Sequence, residues 1–333
     1  MRPRLSVLDQ SPIRAGGTPS QAIAETIELA RAVDRLGYHR FWCAEHHASA
    51  AFAGSVPEIL IGHLASQTST IRLGTGGVML SHYAPLKVAE SFRMLETLYP
   101  GRIDLGLGRA PGADQLTTAA LRPGPTGYGP EVFPELLVDL CGFLRGPLPP
   151  DHPFARVAAQ PVGPGMPDVW LLGSGGDSAA YAGAIGCGFA YAHFINPDNL
   201  AVALEAYRRS FRPGLLAQPR VMLAIFALAA DTQDEARYLA RTRDLWVLNL
   251  LAGRNIPFPD PAHIDLTALP AEVRRRLDQV AARGITGEVA GVKARLDEIV
   301  AATGADELMI VTITFDFAAR LRSYELLAQA YGT

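Results

Sequence analysis

Leu36-Gly37-Tyr38-His39-Arg40-Phe41-Trp42-Cys43-Ala44-Glu45-His46-His47 passes from a glycine into an apolar stretch and ends in a carboxylate beside two imidazoles. A buried strand that hands titratable groups to its own carboxyl end is the pattern of parallel α/β proteins. There the strands stay packed while the loops beyond them vary and carry chemistry. A lone histidine in such a position is more often a satisfied structural group. The Glu-His-His cluster tips the balance and makes Glu45, His46 and His47 the first candidate catalytic residues.

Outward from this strand, runs of the same kind recur. Residues 5–9, 40–44, 71–80, 103–108, 169–172, 189–194, 220–229 and 308–314 read as strands, about the number that closes a barrel. Between them lie segments of helical period at 20–36, 57–67, 85–98, 131–144, 178–185, 198–211, 232–250, 288–303 and 317–331. In the first, Ala22, Ile23, Ile27, Ala30 and Val33 share one face, with Ser20 expected as N-cap and Gly37 past the end. The alternation predicts an α/β fold, one (β/α)8 barrel spanning residues 1–333, with loop insertions at its C-terminal face. The Gly/Pro-punctuated stretches 110–130 and 252–287 fall outside the alternation and read as binding loops. The second is the better lid candidate, and its Arg274-Arg275-Arg276 run reads equally as the solvated face of a short helix.

Composition narrows the function. With 333 residues and 49% hydrophobic content a large core is available, and a net charge of -3 leaves no basic stripe for nucleic acid. No apolar run approaches the ~20 residues of a membrane span, and the N-terminus has no signal-type core, so a cytoplasmic location is the default expectation. Cys43, Cys141 and Cys187 lie far apart in apolar surroundings, so neither a disulfide nor a cysteine-based metal site is expected.

Three further stretches carry chemistry. Val169-Trp170-Leu171-Leu172 runs into Gly173-Ser174-Gly175-Gly176-Asp177-Ser178 and then a helix, a turn whose backbone N–H groups suit an anion, most often a phosphate. Purely geometric glycines are the competing explanation, and Asp177 is read as a capping residue. Arg109 follows the strand Leu105-Gly106-Leu107-Gly108 and is placed to pair with a phosphate held at Gly175 and Gly176, where an interstrand salt bridge is the alternative. Clustered glycines in Gly74-Thr75-Gly76-Gly77 suggest a bulge or a flat ligand against the backbone.

Together these motifs resemble the bacterial-luciferase-like flavin monooxygenases over essentially the whole chain. Phe41-Trp42-Cys43-Ala44-Glu45-His46-His47 matches the Trp-x-x-Glu-His-His end of that family's second strand, and Gly74-Thr75-Gly76-Gly77 the segment with a non-prolyl cis peptide under the flavin. Gly101 to Arg109 matches the strand with the phosphate-contacting arginine, and Gly173 to Ser178 the flavin-phosphate turn. The resemblance implies cofactor contacts at Gly76, Gly77, Arg109, Ser174, Gly175, Gly176 and Ser178, a catalytic His46, and reduced FMN (FMNH2) as cosubstrate. It also implies a homodimer through the second and third helices, whose apolar residues include Ile59, Leu60, Leu64, Val88, Phe92 and Leu95. Gly108 stands where luciferase α-subunits carry a cysteine, so light emission is not implied, and Ser174 replaces the family's loop glutamate. The segment Leu80-Ser81-His82-Tyr83-Ala84-Pro85 looks like the homodimeric branch, which includes natural-product enzymes.

The expected function is therefore an FMNH2- and O2-dependent monooxygenase acting on a small organic substrate through a flavin C4a-(hydro)peroxide. His46 is expected to move protons near neutral pH, with Glu45 and His47 orienting it or anchoring the strand. No Gly-x-Gly-x-x-Gly dinucleotide fingerprint in strand-turn-helix context is present, which predicts a separate flavin reductase as partner. The competing expectations are an F420-dependent dehydrogenase on the same barrel, a non-catalytic flavin-binding protein, and a metal hydrolase at Glu45, His46 and His47. The last is disfavoured because adjacent residues on an extended chain point oppositely, and no metal is expected.

Overall fold

The computed structural model describes residues 2–109, 114–121, 130–163 and 165–333. Eight parallel strands close a ring in chain order: β1 (Arg4–Asp9), β2 (Arg40–Cys43), β3 (Arg72–Thr75), β4 (Ile103–Gly108), β5 (Asp168–Gly173), β6 (Gly188–Ala192), β7 (Val221–Ala230) and β8 (Glu307–Val311). Closure comes where β8 pairs with β7 through Leu308 and Leu223 and with β1 through Leu308 and Leu5. Helices connect successive strands, so the expected (β/α)8 barrel is the observed one.

Strand parity sorts the side chains. Phe41 and Cys43 of β2 join the core between sheet and helices, whereas Trp42 and Ala44 join the cluster inside the barrel with Leu8, Trp170, Ala190, Met222, Met309 and Val311. Bulk is complemented by glycine. A Cβ on Gly74 would lie 2.6 Å from the Trp42 indole nitrogen, and one on Gly188 2.4 Å from the Trp170 ring. Beneath these rings the barrel floor is polar. Arg40 donates to Asp104 at 2.7 Å and to Glu307 at 3.0 Å, Arg72 donates to Asp104 at 2.6 Å, and the Trp42 indole N–H donates to the same aspartate at 2.9 Å. Arg40 is 1% exposed and Asp104 not at all, which is tolerable only because each is multiply paired.

Local structure departs from expectation at identifiable points. The first helix runs Pro19–Arg35, not from Ser20. Proline is pre-organised for the first helical position, and Thr18 caps it, accepting from the Gln21 amide while the Gln21 side chain accepts from the Thr18 amide. The strand expected over 71–80 is broken at a cis peptide between Gly76 and Gly77, after which Val78–Met79 pairs separately with β4. Ile285–Glu288, unforeseen, extends the sheet beside β7. The arginine run lies on the helix Ala271–Ala281, where Arg275 and Arg276 both reach Glu272. Most of the 110–130 loop lies outside the described residues, within which Gln115–Leu121 is helical. All three cysteines are free and buried, and no helix among the described residues is long and apolar enough to cross a membrane.

Candidate active site

Every sequence-predicted site residue lies at or just beyond the carboxyl ends of β2 to β5, hence at one end of the barrel. Beyond β2 the inward parity of Trp42 and Ala44 continues to His46, and Glu45 and His47 share the other side. Glu45 is 1% exposed, and its Oε1 accepts from His47 Nε2 at 2.8 Å and from the Tyr83 hydroxyl at 2.8 Å. Its Oε2 accepts from the Met79 amide at 3.0 Å. Burial and the Glu45 charge raise the Tyr83 phenol well above its ordinary range, so it stays protonated as a donor. Glu45 and His47 therefore anchor the end of β2 to the segment following β3 and do not orient His46. The chain then turns through Ala48 at φ 49°, a left-handed conformation uncommon outside glycine.

His46 is held otherwise. Its backbone amide donates to Gly54 at 2.9 Å, and its ring stacks on Phe52 with centroids 4.2 Å apart and planes 23° apart. Nδ1 is buried and has no hydrogen-bond partner among the described residues. Burial, with the neighbouring His47 second, pushes its pKa down to about 4, so the ring is neutral at neutral pH rather than poised there as expected. Phe52 continues into an aromatic wall with Trp246 at 5.2 Å and Phe258 at 5.6 Å. Phe258 belongs to the 252–287 stretch and is tied down: its amide donates to Ile13, its carbonyl accepts from Ala15, and the Asn255 side chain bonds both Ala48 and Ala50.

The cis peptide falls between Gly76 and Gly77, where the family resemblance required one. A side chain is excluded at both: a Cβ on Gly76 would sit 2.5 Å from a Leu8 methyl, and one on Gly77 2.8 Å from the Gly106 carbonyl. Across the mouth, Gly175 and Gly176 open the helix Gly176–Ile185, and a Cβ on either would meet nothing within 4 Å, leaving their amides approachable. Gly175 occupies the N-cap with no side-chain cap, so Asp177 does not cap as expected. It accepts from Arg109 Nη1 at 3.3 Å, with the carboxylate 73% exposed. An exposed pair of this kind is worth little and yields to a better anion. Ser178 is buried against Gly173, and the Ser174 carbonyl accepts from Asn196 at 3.4 Å and the Tyr191 hydroxyl at 3.5 Å. Sequence reading missed Tyr83, Phe52, Trp246 and Phe258, whose roles depend on contacts across loops. No cluster of His, Cys, Asp and Glu suited to a metal ion occurs among the described residues.

The barrel carries unobstructed glycines at a helix N-terminus, a side-chain-free glycine pair and an imidazole at one mouth, and its sequence places it in a known class. The sequence profile of the luciferase-like monooxygenases matches residues 4–307. A luciferase-like monooxygenase of Escherichia coli (strain K12) is 40% identical, over 96% of this chain and 95% of its own. N-acetyl-S-alkylcysteine monooxygenase of Bacillus subtilis (strain 168) is 37% identical, over 98% of each. The crystal structure of apo-MsnO8 superposes with a TM-score of 0.88 at 38% identity, covering 99% of this chain and 98% of that one. The chain belongs to the luciferase-like monooxygenase family.

Proposed function

We propose that the protein takes reduced FMN from a separate reductase and uses O2 to oxygenate a small organic substrate, working as a cytoplasmic homodimer. The observation that carries this reading is the Arg109 guanidinium on Asp177, the residue after the open Gly175-Gly176 pair, at the same barrel end as the side-chain-free Gly76-Gly77 pair and His46. The donor set fits a flavin phosphate: one cation in a bidentate-capable fork, two unobstructed amides on a helix N-terminus, and the Ser174 and Ser178 hydroxyls. The chemistry the flavin supplies when bound is the activation of O2.

The chain's own residues bind, orient and move protons. Arg109 and the Gly175 turn grip the phosphate. Gly76 and Gly77 give the ring a flat seat. His46, neutral, is a proton acceptor or relay at Nδ1 toward the reacting atoms, while Glu45 and His47 hold the strand end still. The aromatic wall of Phe52, Trp246 and Phe258 gives the substrate an apolar surface, and the segment 252–287 closes over it from its Phe258 anchor. The name of the 37% identical relative supports thioether-bearing N-acetylcysteine conjugates as the first substrates to try.

The test is anaerobic titration with reduced FMN and with reduced F420, followed by oxygen uptake with N-acetyl-S-benzylcysteine and an unrelated flavin reductase. Binding of reduced FMN with reductase-dependent oxygenation supports the reading. Binding of F420 alone, or flavin bleaching by NADH or NADPH without added reductase, rejects it.

A further inference from the structure

The end of β1 contains a polar group that the proposed site does not use. Inward parity on this strand runs Ser6, Leu8, Gln10: Ser6 reaches Glu307 in the floor, Leu8 packs inside the barrel, and Gln10 comes next toward the mouth. Gln10 is 7% exposed, and its Oε1 has no hydrogen-bond partner among the described residues. The β1–β2 register, Leu8 beside Trp42 and Asp9 beside Cys43, sets Gln10 next to Ala44, two residues before His46. Its inward neighbour Leu8 is the side chain nearest Gly76. A carbonyl oxygen buried without a donor costs free energy, and native proteins keep such atoms where a ligand or water completes them. The strand registers on either side set Ala44 and Ile313 beside Gln10, and both belong with Leu8 to the interior apolar cluster, so few donors face it. Its companion in the mouth is His46 Nδ1, likewise buried and unpartnered.

We infer that Gln10 is a ligand-contacting residue of this mouth, whose side-chain oxygen accepts a hydrogen bond from an N–H of the reduced flavin ring seated over Gly76-Gly77. The assignment rests on the flavin reading above. Unlike Arg109, Gln10 holds the ring rather than the phosphate, and the apolar seat becomes selective for a ring with a donor on that edge.

The test uses Gln10→Leu and, because branching can disturb packing, Gln10→Met. Thermal melting of the flavin-free protein and anaerobic calorimetric titration with reduced FMN are read on each. Removing an unsatisfied acceptor leaves the melting temperature unchanged or raised, while reduced-FMN affinity falls about tenfold, the worth of one hydrogen bond with an unpaired donor left behind. Parental affinity in both variants overturns the assignment. So does a lower melting temperature in both, which would mean that Gln10 is already partnered within the fold. If the parent itself binds no reduced FMN, the flavin reading fails first, and the inference that Gln10 holds a flavin ring falls with it.

Discussion

Glu45 accepts a 2.8 Å hydrogen bond from Nε2 of His47, its neighbour two residues on, and not from His46 between them. The acid of the Glu-His-His run is thereby spent on architecture, along with the Tyr83 hydroxyl and the Met79 amide. Glu45→Ala leaves those part-buried donors unpaired and is expected to lower stability by about 2 kcal/mol, measured by urea unfolding. Glu45→Gln should lose much less. Wild-type stability in Glu45→Ala with turnover abolished would instead make the carboxylate a participant in the chemistry.

Arg109→Ala and Gly175→Asp should each weaken reduced-FMN binding while leaving the fold intact. The first removes a charge-assisted pair worth roughly 1.5–3 kcal/mol, about tenfold to a hundredfold in affinity, and the second points a carboxylate at approachable amides. Titration giving unchanged affinity in both would remove the phosphate assignment.

His46→Ala should bind flavin nearly normally yet turn over ~100-fold to ~10,000-fold more slowly, the usual span for a proton-transfer group. Stopped-flow traces separate the flavin-oxidation step from substrate conversion. Parental rates in both phases would reduce His46 to a packing partner of Phe52.

Acid should loosen the protein over a defined window. Burial pushes both His46 and His39 down to about 4 from an ordinary value near 6.5. Between those values the unfolded chain binds more protons than the folded one, so stability is fully present above about pH 6.5 and is lost as pH falls toward 4. His46→Gln, which cannot titrate, should flatten part of that slope, on the order of 2 kcal/mol. A melting temperature as steeply dependent on pH as the parent's would contradict the neutral-imidazole state.

The proposed homodimer is expected to use a surface adjusted from the sequence reading. Leu64, Val88, Phe92 and Leu95 are buried within the chain, whereas Ile59, Met94 and Leu98 stand 72%, 50% and 59% exposed on the same two helices, Pro57–Gln67 and Pro85–Leu98. Ile59→Lys with Met94→Lys should convert a dimer into a monomer in sedimentation at micromolar concentration. A dimer that survives both changes uses another face.

The strand itself was readable from sequence because the apolar run Phe41-Trp42-Cys43-Ala44 is local, but with every residue apolar and buried, which side chains face the barrel interior emerges only when the ring closes. The glycines of 74–77 did flag a bulge or close approach there, whereas the end of the strand at Thr75 was not legible, because the contacts with the Leu8 side chain and the Gly106 carbonyl are made across the barrel. Nor were the partners of Glu45, which lie 34 and 38 residues away and are brought in by the turn after β3. Gln10 escaped notice because glutamine at a strand end carries no motif, and it becomes conspicuous only once its side-chain oxygen is seen buried without a partner.

The polar floor has a consequence for traffic. Arg40, Asp104 and Glu307 interlock under Trp42 and Trp170, and none of these five residues is more than 2% exposed. Among the described residues the barrel is thus closed at the end away from the candidate site. If the proposed function holds, cofactor, oxygen and substrate all approach from the other end, so whichever molecule is seated deepest has to enter first and leave last.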